Sequence, residues 1–237
     1  MSKLVKIFDK YLYPDFQDNW DNNFLRDRVI KYMRPNNKIL DLGAGAGIVE
    51  QLNFKGLASC ICGVDIDTRV LDNPYLDEAK VGRAESIPYE DNSFDIVISI
   101  NVLEHLSDPE KIFKEVHRIL KKDGVFIVKT PNKYHYVKIL ASLTPHWFHL
   151  YYNRIRRRTE KNTFPTLYKA NSKKKIIYYG ESTGFKVESI EIIEGRPEYL
   201  RISWPTYLLG TIYEKIVNST EFLHHFRVVI LACLRKK

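Results

Sequence analysis

The apolar and polar positions along the first half of the chain alternate between short apolar runs and segments with helical spacing. The apolar runs KILDLG, SCICGVDID, AKVGRA, FDIVISI and VFIVKT predict strands, because parallel strands buried on both faces are apolar throughout. Between them, DNNFLRDRVIKYM, IVEQLNF, the region around NPYLDEA and DPEKIFKEVHRILKKDG predict helices, the last of which ends at Gly124. This alternation favours βαβ units in a doubly wound, mostly parallel sheet.

The same patterning resumes after residues 133–170, which are rich in aromatic and basic side chains. It predicts a helix in KKKIIYYGESTGF, a strand in KVESIEII, a helix in WPTYLLGTIYEKIVN and a last strand in FRVVILACL. We therefore expect one α/β domain over residues 1–237 with a seven-stranded sheet. Residues 133–170 are expected to form a helical insertion that serves as a substrate lid, and residues 171–237 to complete the sheet.

Composition sets limits on this domain. With 237 residues, of which 44% are hydrophobic, the chain can bury one full core and carry an elaboration. It lacks an apolar run of about 18 residues, and charges interrupt its N-terminus before a signal-like region, so we expect a cytoplasmic protein. Cys60, Cys62 and Cys233 cannot all pair with one another, and we expect Cys60 and Cys62 to be core residues.

Charge divides unevenly along the chain. Residues 1–132 hold 18 Lys and Arg against 21 Asp and Glu, a net charge of −3, whereas residues 133–237 hold 19 against 8, a net charge of +11. The excess concentrates in Arg154 to Arg158 and Lys173 to Lys175. These runs indicate either solvated helix faces or a partner with phosphates, such as an anionic membrane surface, a phosphorylated acceptor or a nucleic acid.

A glycine-rich loop follows the first predicted strand in ILDLGAGAGIVEQL, and an aspartate precedes it. A nicotinamide dinucleotide site would need glycine at the sixth position of the motif, where Ile48 stands. The loop resembles motif I of the class I S-adenosylmethionine-dependent methyltransferases. GVDID and the stretch from Phe94 to Asn132 resemble later motifs of the small-molecule branch of that family, and the C-terminal part is similar, more loosely, to methyltransferases of bacterial polysaccharide and natural-product pathways.

The resemblance implies a Rossmann-like fold, S-adenosylmethionine as the cofactor and S-adenosylhomocysteine as the product. It implies that the glycines admit the methionine part of the cofactor, that Asp65 receives the ribose hydroxyls and that Ile66 packs on the adenine. Residues 1–35 are expected to form a helical segment over this site. The cofactor residues implied are Asp41, Gly43, Ala44, Gly45, Gly47, Asp65, Ile66, Ala84, Glu85, Asn101 and Val102. Arg83 departs from the family, which commonly has an acid there.

Methyl transfer to a hydroxyl requires a base, and histidine is the commonest one at neutral pH. His135 and His105 are the candidate catalytic residues. Tyr134, His146, Trp147 and His149 are the candidate substrate residues. No metal is expected, since Asn101 stands where a Glu-x-x-Glu-His metal pattern of some methyltransferases has its first acid.

We therefore predict O-methylation of a small or lipid-linked acceptor that carries phosphate or sugar. One alternative is an RNA methyltransferase, although NVLEH lacks the Asn/Asp-Pro-Pro-aromatic signature of amino-group nucleic-acid methylases, so a nucleic-acid partner is disfavoured. Another alternative is a non-catalytic S-adenosylmethionine-binding protein. The helix WPTYLLGTIYEKIV predicts either a homodimer interface or peripheral contact with a membrane.

Overall fold

The computed structural model describes residues 3–16, 18–143 and 165–237. Its strands are β1 (Lys38–Leu42), β2 (Cys60–Asp65), β3 (Glu78–Val81), β4 (Phe94–Ile100), β5 (Leu120–Pro131), β6 (Phe185–Ile193) and β7 (Val229–Lys236). Its helices are α1 (Lys3–Leu12), α2 (Trp20–Tyr32), α3 (Pro109–Ile119), α4 (Tyr136–Leu143), α5 (Lys173–Ser182) and α6 (Trp204–Ser219). The strands form one sheet in the order β3-β2-β1-β4-β5-β7-β6. The predicted doubly wound, mostly parallel sheet of seven strands is confirmed.

Parallel pairing brings the loops that follow β1, β2 and β4 to one edge of the sheet. β1 lies between β2 and β4, so that Leu40 is opposite both Cys62 and Val97. β2 also pairs in parallel with β3, and β4 with β5. Because the carboxyl ends of parallel strands share an edge, the loops that follow β1, β2 and β4 meet there.

The chain divides into two compact units. One comprises the described residues within Met1–Trp20, Asn132–Thr166 and Ile192–Val229, and the other comprises Asp21–Pro131, Leu167–Glu191 and Ile230–Lys237. We call them the helical unit, which contains α1, α4 and α6, and the sheet unit, which contains β1 to β5. Val5, Tyr13 and Tyr207 form a core cluster in the helical unit.

None of the helices within residues 3–16, 18–143 and 165–237 has the length and apolarity needed to cross a bilayer.

The helix predicted in IVEQLNF is wrong, because the structure has a single 3₁₀ turn at Glu50–Leu52. The carbonyl groups of Gln51 and Asn53 accept hydrogen bonds from the Arg26 guanidinium at 2.9 and 2.7 Å. Gly56 then takes a backbone φ of +80°. These contacts and this turn direct the chain towards β2 after one helical turn, and a short connection results.

Two further helix predictions need correction. Near NPYLDEA the structure has a 3₁₀ helix at Thr68–Asp72, ahead of the predicted place, since Pro74 removes a backbone donor there. Helix α3 ends at Ile119, not at Gly124, and Gly124 lies within β5. The Lys236 ammonium group donates to the carbonyls of His117 and Leu120, both at 2.7 Å, and so satisfies acceptors at the helix end.

Candidate functional site

The glycine loop is held against the ends of β1 and β2. The backbone nitrogen of Gly43 donates to the carbonyl of Val64 at 2.7 Å, and that of Gly45 donates to Oδ2 of Asp65 at 2.9 Å. Gly43 has a φ of +86°, and a Cβ there would overlap Cγ2 of Val102. Only glycine fits this position, both in backbone conformation and in space.

Asn73 clamps the same loop from the turn after β2. Its side-chain nitrogen donates to the carbonyls of Ala44 and Gly45, both at 3.2 Å, and its side-chain oxygen accepts from Tyr75 N at 2.9 Å. A Cβ at Gly47 would overlap this oxygen. Asn73 was not predicted from the sequence, where its signal is the turn-forming dipeptide Asn73-Pro74.

Asp65 stands at the end of β2 with its carboxylate oriented by two backbone donors. Oδ1 accepts from the backbone nitrogen of Asp67 at 2.8 Å, while Oδ2 accepts from Gly45. Each carboxylate oxygen has a second lone pair. The carboxylate is therefore fixed in direction and still able to accept the two hydroxyl groups of a ribose.

Asp41 lies at the base of the loop with a buried, unsatisfied oxygen. Its Oδ1 is closed to solvent and has no hydrogen-bond partner among the residues that the structure describes. Burial, and to a lesser extent the charge of Asp65, raises the pKa of Asp41 to about 7. Such a group favours a ligand that brings a positive charge or a hydrogen-bond donor.

The glycine loop and its two aspartates have the shape and charge that S-adenosylmethionine requires. A Cβ built at Gly45 would meet no atom within 4 Å, so the loop leaves open space on that side. The loop thus presents an open backbone, an oriented carboxylate on Asp65 and an unsatisfied carboxylate on Asp41. The ammonium group and the ribose of the cofactor are the complements of these two carboxylates, so the residues present fit the group.

The other implied cofactor residues lie at the ends of neighbouring strands. Ile66, which follows Asp65, has 52% of its surface exposed, so its side chain is accessible to a planar ligand. Glu85 is half-buried, with its carboxylate 3.6 Å from Arg83, and Ala84 lies between them in sequence. Asn101 is exposed, with a φ of +55°, and Val102 is half-buried. Their roles toward the cofactor stay predictions.

Glu104, in the NVLEH segment, is buried and organises a hydrogen-bonded chain. Its Oε2 accepts from the Thr130 hydroxyl at 3.2 Å, and Thr130 accepts from the side chain of Asn171 at 2.5 Å. Its backbone carbonyl accepts from the nitrogens of Leu167 and Tyr168. Burial raises the pKa of Glu104. Glu104 therefore ties residues 167–171 to the ends of β4 and β5.

Lys129, near the end of β5, is 2% exposed. Its ammonium group donates to the Asp21 carboxylate at 2.5 Å and to the side-chain oxygen of Asn22. The Lys129 carbonyl accepts from the backbone nitrogen of Asn101 at 2.8 Å. One buried cation thus joins α2 to the strand whose backbone holds Asn101 in its unusual conformation.

In the helical unit, His135 and Glu194 form a buried pair. His135 Nε2 lies 3.4 Å from Glu194 Oε2, and both side chains are 4% exposed. The imidazole ring packs against the rings of Tyr136 and Tyr213, with centroids at 4.2 and 5.5 Å. Burial raises the pKa of Glu194. A histidine paired with a carboxylate is an arrangement that can accept and hold a proton.

Two of the remaining candidate site residues lie in the described part of the chain. Tyr134 is exposed, and the Lys133 ammonium lies 4.9 Å from its ring centroid. His105, in the sheet unit, has Nε2 at 4.0 Å from Oε1 of Glu104. His146, Trp147, His149 and the basic run Arg154 to Arg158 lie outside the described residues.

A second cluster, of Cys60, Cys62 and Glu78, gathers three groups of the kind that bind metals. Their ligand atoms lie within 4.8 Å of one another. Cys60 begins β2, whereas Asp65 ends it, so the cluster and the glycine loop lie at opposite ends of this strand. The Lys80 ammonium lies 3.2 Å from the Glu78 carboxylate and already neutralises it. Of the two cysteines predicted as core residues, Cys62 is buried and Cys60 is half-buried.

A cleft of about 400 Å³ also lies away from the glycine loop. Lys31, Arg34, Asp95, Lys122 and Arg235 are among its lining residues. Asp95 and Asn37 place it at the starting ends of β4 and β1, so it does not coincide with the proposed cofactor site.

The glycine loop and the strands around it resemble a domain of known proteins. A family model described as a methyltransferase domain matches residues 40–128. The chain is 36% identical over 104 residues to the uncharacterized methyltransferase YcgJ of Bacillus subtilis, covering 40% of this chain and 41% of that one. It is 26% identical over 156 residues to the ubiquinone biosynthesis O-methyltransferase of Pelagibacter ubique, covering 56% and 64%.

The crystal structure of the YcgJ protein from Bacillus subtilis has the same fold. It superposes with a TM-score of 0.57 at 20% identity, covering 90% of this chain and 98% of that chain. An identity this low supports the fold alone. The aligned part of the chain spans between two fifths and two thirds of the length of the two curated relatives.

Proposed function

Since the chain belongs to the class I S-adenosylmethionine-dependent methyltransferases, we propose that it transfers the cofactor's methyl group to a hydroxyl oxygen of a small or lipid-linked acceptor. One observation carries the methyl-transfer part of this proposal. The Asp65 carboxylate is oriented by Gly45 N beside the unsatisfied Oδ1 of Asp41, so the loop offers two anionic positions and an open backbone to one ligand.

The residues of the sheet unit have distinct tasks in this proposal. Asp65 binds the ribose hydroxyls, Asp41 receives the ammonium group, and Asn73 keeps the loop in shape for both. When bound, S-adenosylmethionine supplies a methyl group on a sulfonium centre, which an acceptor oxygen takes by in-line displacement of S-adenosylhomocysteine. The acceptor proton passes to a base, for which we propose His135, whose Nε2 lies 3.4 Å from Oε2 of Glu194, with His105 as the alternative.

The nature of the acceptor is supported by charge and by similarity. The net charge of +11 in residues 133–237 favours an acceptor with phosphate groups. The relative from Pelagibacter ubique is named an O-methyltransferase of ubiquinone biosynthesis, which favours oxygen as the methylated atom. A sugar or natural-product intermediate with a phosphate or lipid carrier satisfies these observations.

Transfer of an isotope-labelled methyl group tests the proposal. The purified protein and labelled S-adenosylmethionine are added to an extract of the source cells, which is then partitioned into lipid, small-molecule and nuclease-sensitive fractions. The Asp65→Ala variant serves as the control for cofactor-dependent label. We expect label in the lipid or small-molecule fraction with the wild-type protein alone.

Two outcomes would contradict this expectation. Label that disappears on nuclease treatment would favour the RNA methyltransferase alternative. Tight cofactor binding by calorimetry without label in any fraction would favour the non-catalytic binding protein.

A further inference from the structure

Helix α1 exposes a large part of its apolar face. Val5 is fully buried on the side that packs in the helical unit. Leu4, Ile7 and Tyr11, spaced by three and four residues, lie on one face of the helix and are 48%, 48% and 77% exposed. The apolar face of α1 is therefore wider than the surface that covers it.

Helix α6 shows the same excess. Its buried side includes Tyr207, Gly210 and Val217. Leu209, Ile212 and Ile216, again at intervals of three and four residues, are 64%, 57% and 52% exposed. The described residues thus leave apolar stripes uncovered on two helices of one unit, although exposed apolar stripes of this kind are uncommon unless they bind something.

The charges beside these stripes are basic. Lys6 and Lys10 are exposed on α1, and the Lys215 side chain is 69% exposed on α6. The acids of the two helices lie on their covered sides, although the Glu214 carboxylate is also 3.6 Å from the Lys215 ammonium group. The Asp9 carboxylate accepts from the Tyr207 hydroxyl at 2.7 Å, and the Glu214 carboxylate accepts from the Tyr13 hydroxyl at 2.9 Å. In the described part of α1 and α6, the exposed side carries lysines and no acid.

We propose that the exposed faces of α1 and α6 dock on an anionic membrane surface. Apolar stripes bordered by lysines bind such surfaces by burying side chains among the acyl chains while the ammonium groups meet lipid phosphates. Exposed aromatic residues, Tyr11 on α1 and Trp204 at the start of α6, suit the depth of the headgroups. Phe222, in the turn after α6, is exposed as well, and the neighbouring Glu221 lies 3.4 Å from Arg227.

A second copy of the chain is a poorer occupant. A two-fold interface formed by these faces would bring two lysine-bearing faces together, without exposed acids on α1 or α6 to neutralise them. Lipid phosphates supply the missing negative charge. Membrane docking would bring the protein to a lipid-linked acceptor. Only this purpose rests on the proposed function.

Co-sedimentation with vesicles tests the docking without cofactor or acceptor. The full chain is mixed with phosphatidylcholine vesicles, with and without phosphatidylglycerol. We expect binding to the anionic vesicles, and we expect the double variant Leu209→Gln/Ile212→Gln to lower the partition coefficient about tenfold or more, since two exposed apolar side chains no longer insert. The control Ile30→Gln/Leu57→Gln removes two exposed apolar side chains of the sheet unit and should bind as the wild type does.

The lysines give a second arm to the test. Lys6→Glu/Lys10→Glu should lose most of the preference for anionic vesicles, and added salt should weaken wild-type binding. Absence of vesicle binding by the wild type, or equal binding by the Leu209→Gln/Ile212→Gln variant, would overturn the proposal. Self-association of the wild type that this variant abolishes, without vesicle binding, would assign the faces to a second copy instead.

Vesicle binding and methyl transfer can be tested independently of each other. Asp65→Ala should bind vesicles as the wild type does, because its change lies in the cofactor loop. If the wild-type protein labels an acceptor in extract but does not bind vesicles, the methyl-transfer proposal stands and the membrane-docking proposal is overturned.

Discussion

Oδ2 of Asp65 accepts a 2.9 Å hydrogen bond from the backbone nitrogen of Gly45, so the end of β2 holds the loop that follows β1. The two strands are already paired in parallel, with Asp41 opposite Gly63. This contact means that Asp65 shapes the glycine loop before any ligand binds. One carboxylate therefore serves both the loop and the proposed ribose contact.

We expect Asp65→Ala to weaken S-adenosylmethionine binding about 100-fold or more, because hydrogen bonds to a charged group contribute about 1.5–3 kcal/mol each. Isothermal titration calorimetry measures the affinity. The matched control is Asp67→Ala, two residues away, whose half-buried carboxylate pairs with Arg69 and whose backbone donor to Asp65 is kept. Equal losses in the two variants would show that the effect is not specific to Asp65.

Gly43→Ala should weaken cofactor binding at least about tenfold, because an added Cβ overlaps Val102 and a positive φ costs a non-glycine residue on the order of 1–3 kcal/mol. Gly56→Ala is the control, since Gly56 has a similar φ of +80° but nothing within 4 Å of an added Cβ. Both variants should lose stability in urea denaturation. Only Gly43→Ala should lose affinity, and preserved affinity in Gly43→Ala would refute the close approach inferred for this loop.

The raised pKa of Asp41 makes the stability of the cofactor-free protein depend on pH. The folded pKa of about 7 lies above the ordinary value of 3.8, so the folded state holds the proton more tightly than the unfolded state. The free energy of unfolding should therefore fall as pH rises from about 4 to about 7, by up to about 4 kcal/mol from this group. Asp41→Asn removes this dependence, and urea titrations at several pH values measure it.

The stability difference between Asp41→Asn and the wild type should thus grow with pH over that window. Saturating S-adenosylmethionine should reduce the difference, since the proposed ammonium contact favours the ionised carboxylate. Parallel pH profiles of the two cofactor-free proteins would contradict the inferred burial of Asp41.

The sequence predicted what depends on local pattern. Apolar runs such as FDIVISI located the parallel strands, and the glycine motif located the loop with Asp41 and Asp65 at its sides. The sequence did not predict Asn73, since an Asn-Pro turn does not reveal which distant carbonyls the amide will meet. It also overestimated the helix after the loop, because the Arg26 guanidinium that binds the carbonyls of the short turn comes from α2.

Lys129 illustrates the same limit. In VFIVKT a lysine at the end of an apolar run suggests a strand that is reaching solvent. Its burial follows from Asp21 and Asn22, more than 100 residues earlier in the chain. Contacts of this kind are set by tertiary packing, which apolar periodicity does not encode.

Lys129→Met should destabilise the protein by about 2–4 kcal/mol, because it leaves the Asp21 carboxylate and the Asn22 side chain without their buried partner. Lys114→Met is the control. It removes an exposed lysine that pairs with Glu110, and it should change stability by no more than about 0.5 kcal/mol. Urea denaturation compares them, and a similar small change in both would show that the buried pair contributes little.

The role proposed for His135 can be separated from a structural one. If His135 is the base, His135→Asn should lower kcat about 100-fold or more while leaving the affinity for S-adenosylmethionine unchanged, because proton transfer by a positioned side chain contributes about 10²–10⁴-fold. His225→Asn, which changes an exposed histidine of the same unit, should keep full activity. Glu194→Gln should shift the pH profile of kcat, since it removes the carboxylate 3.4 Å from the His135 ring. If His135→Asn lowers the melting temperature but keeps kcat per folded molecule, the pair is structural, and a loss of kcat in His105→Asn would then assign the base to His105.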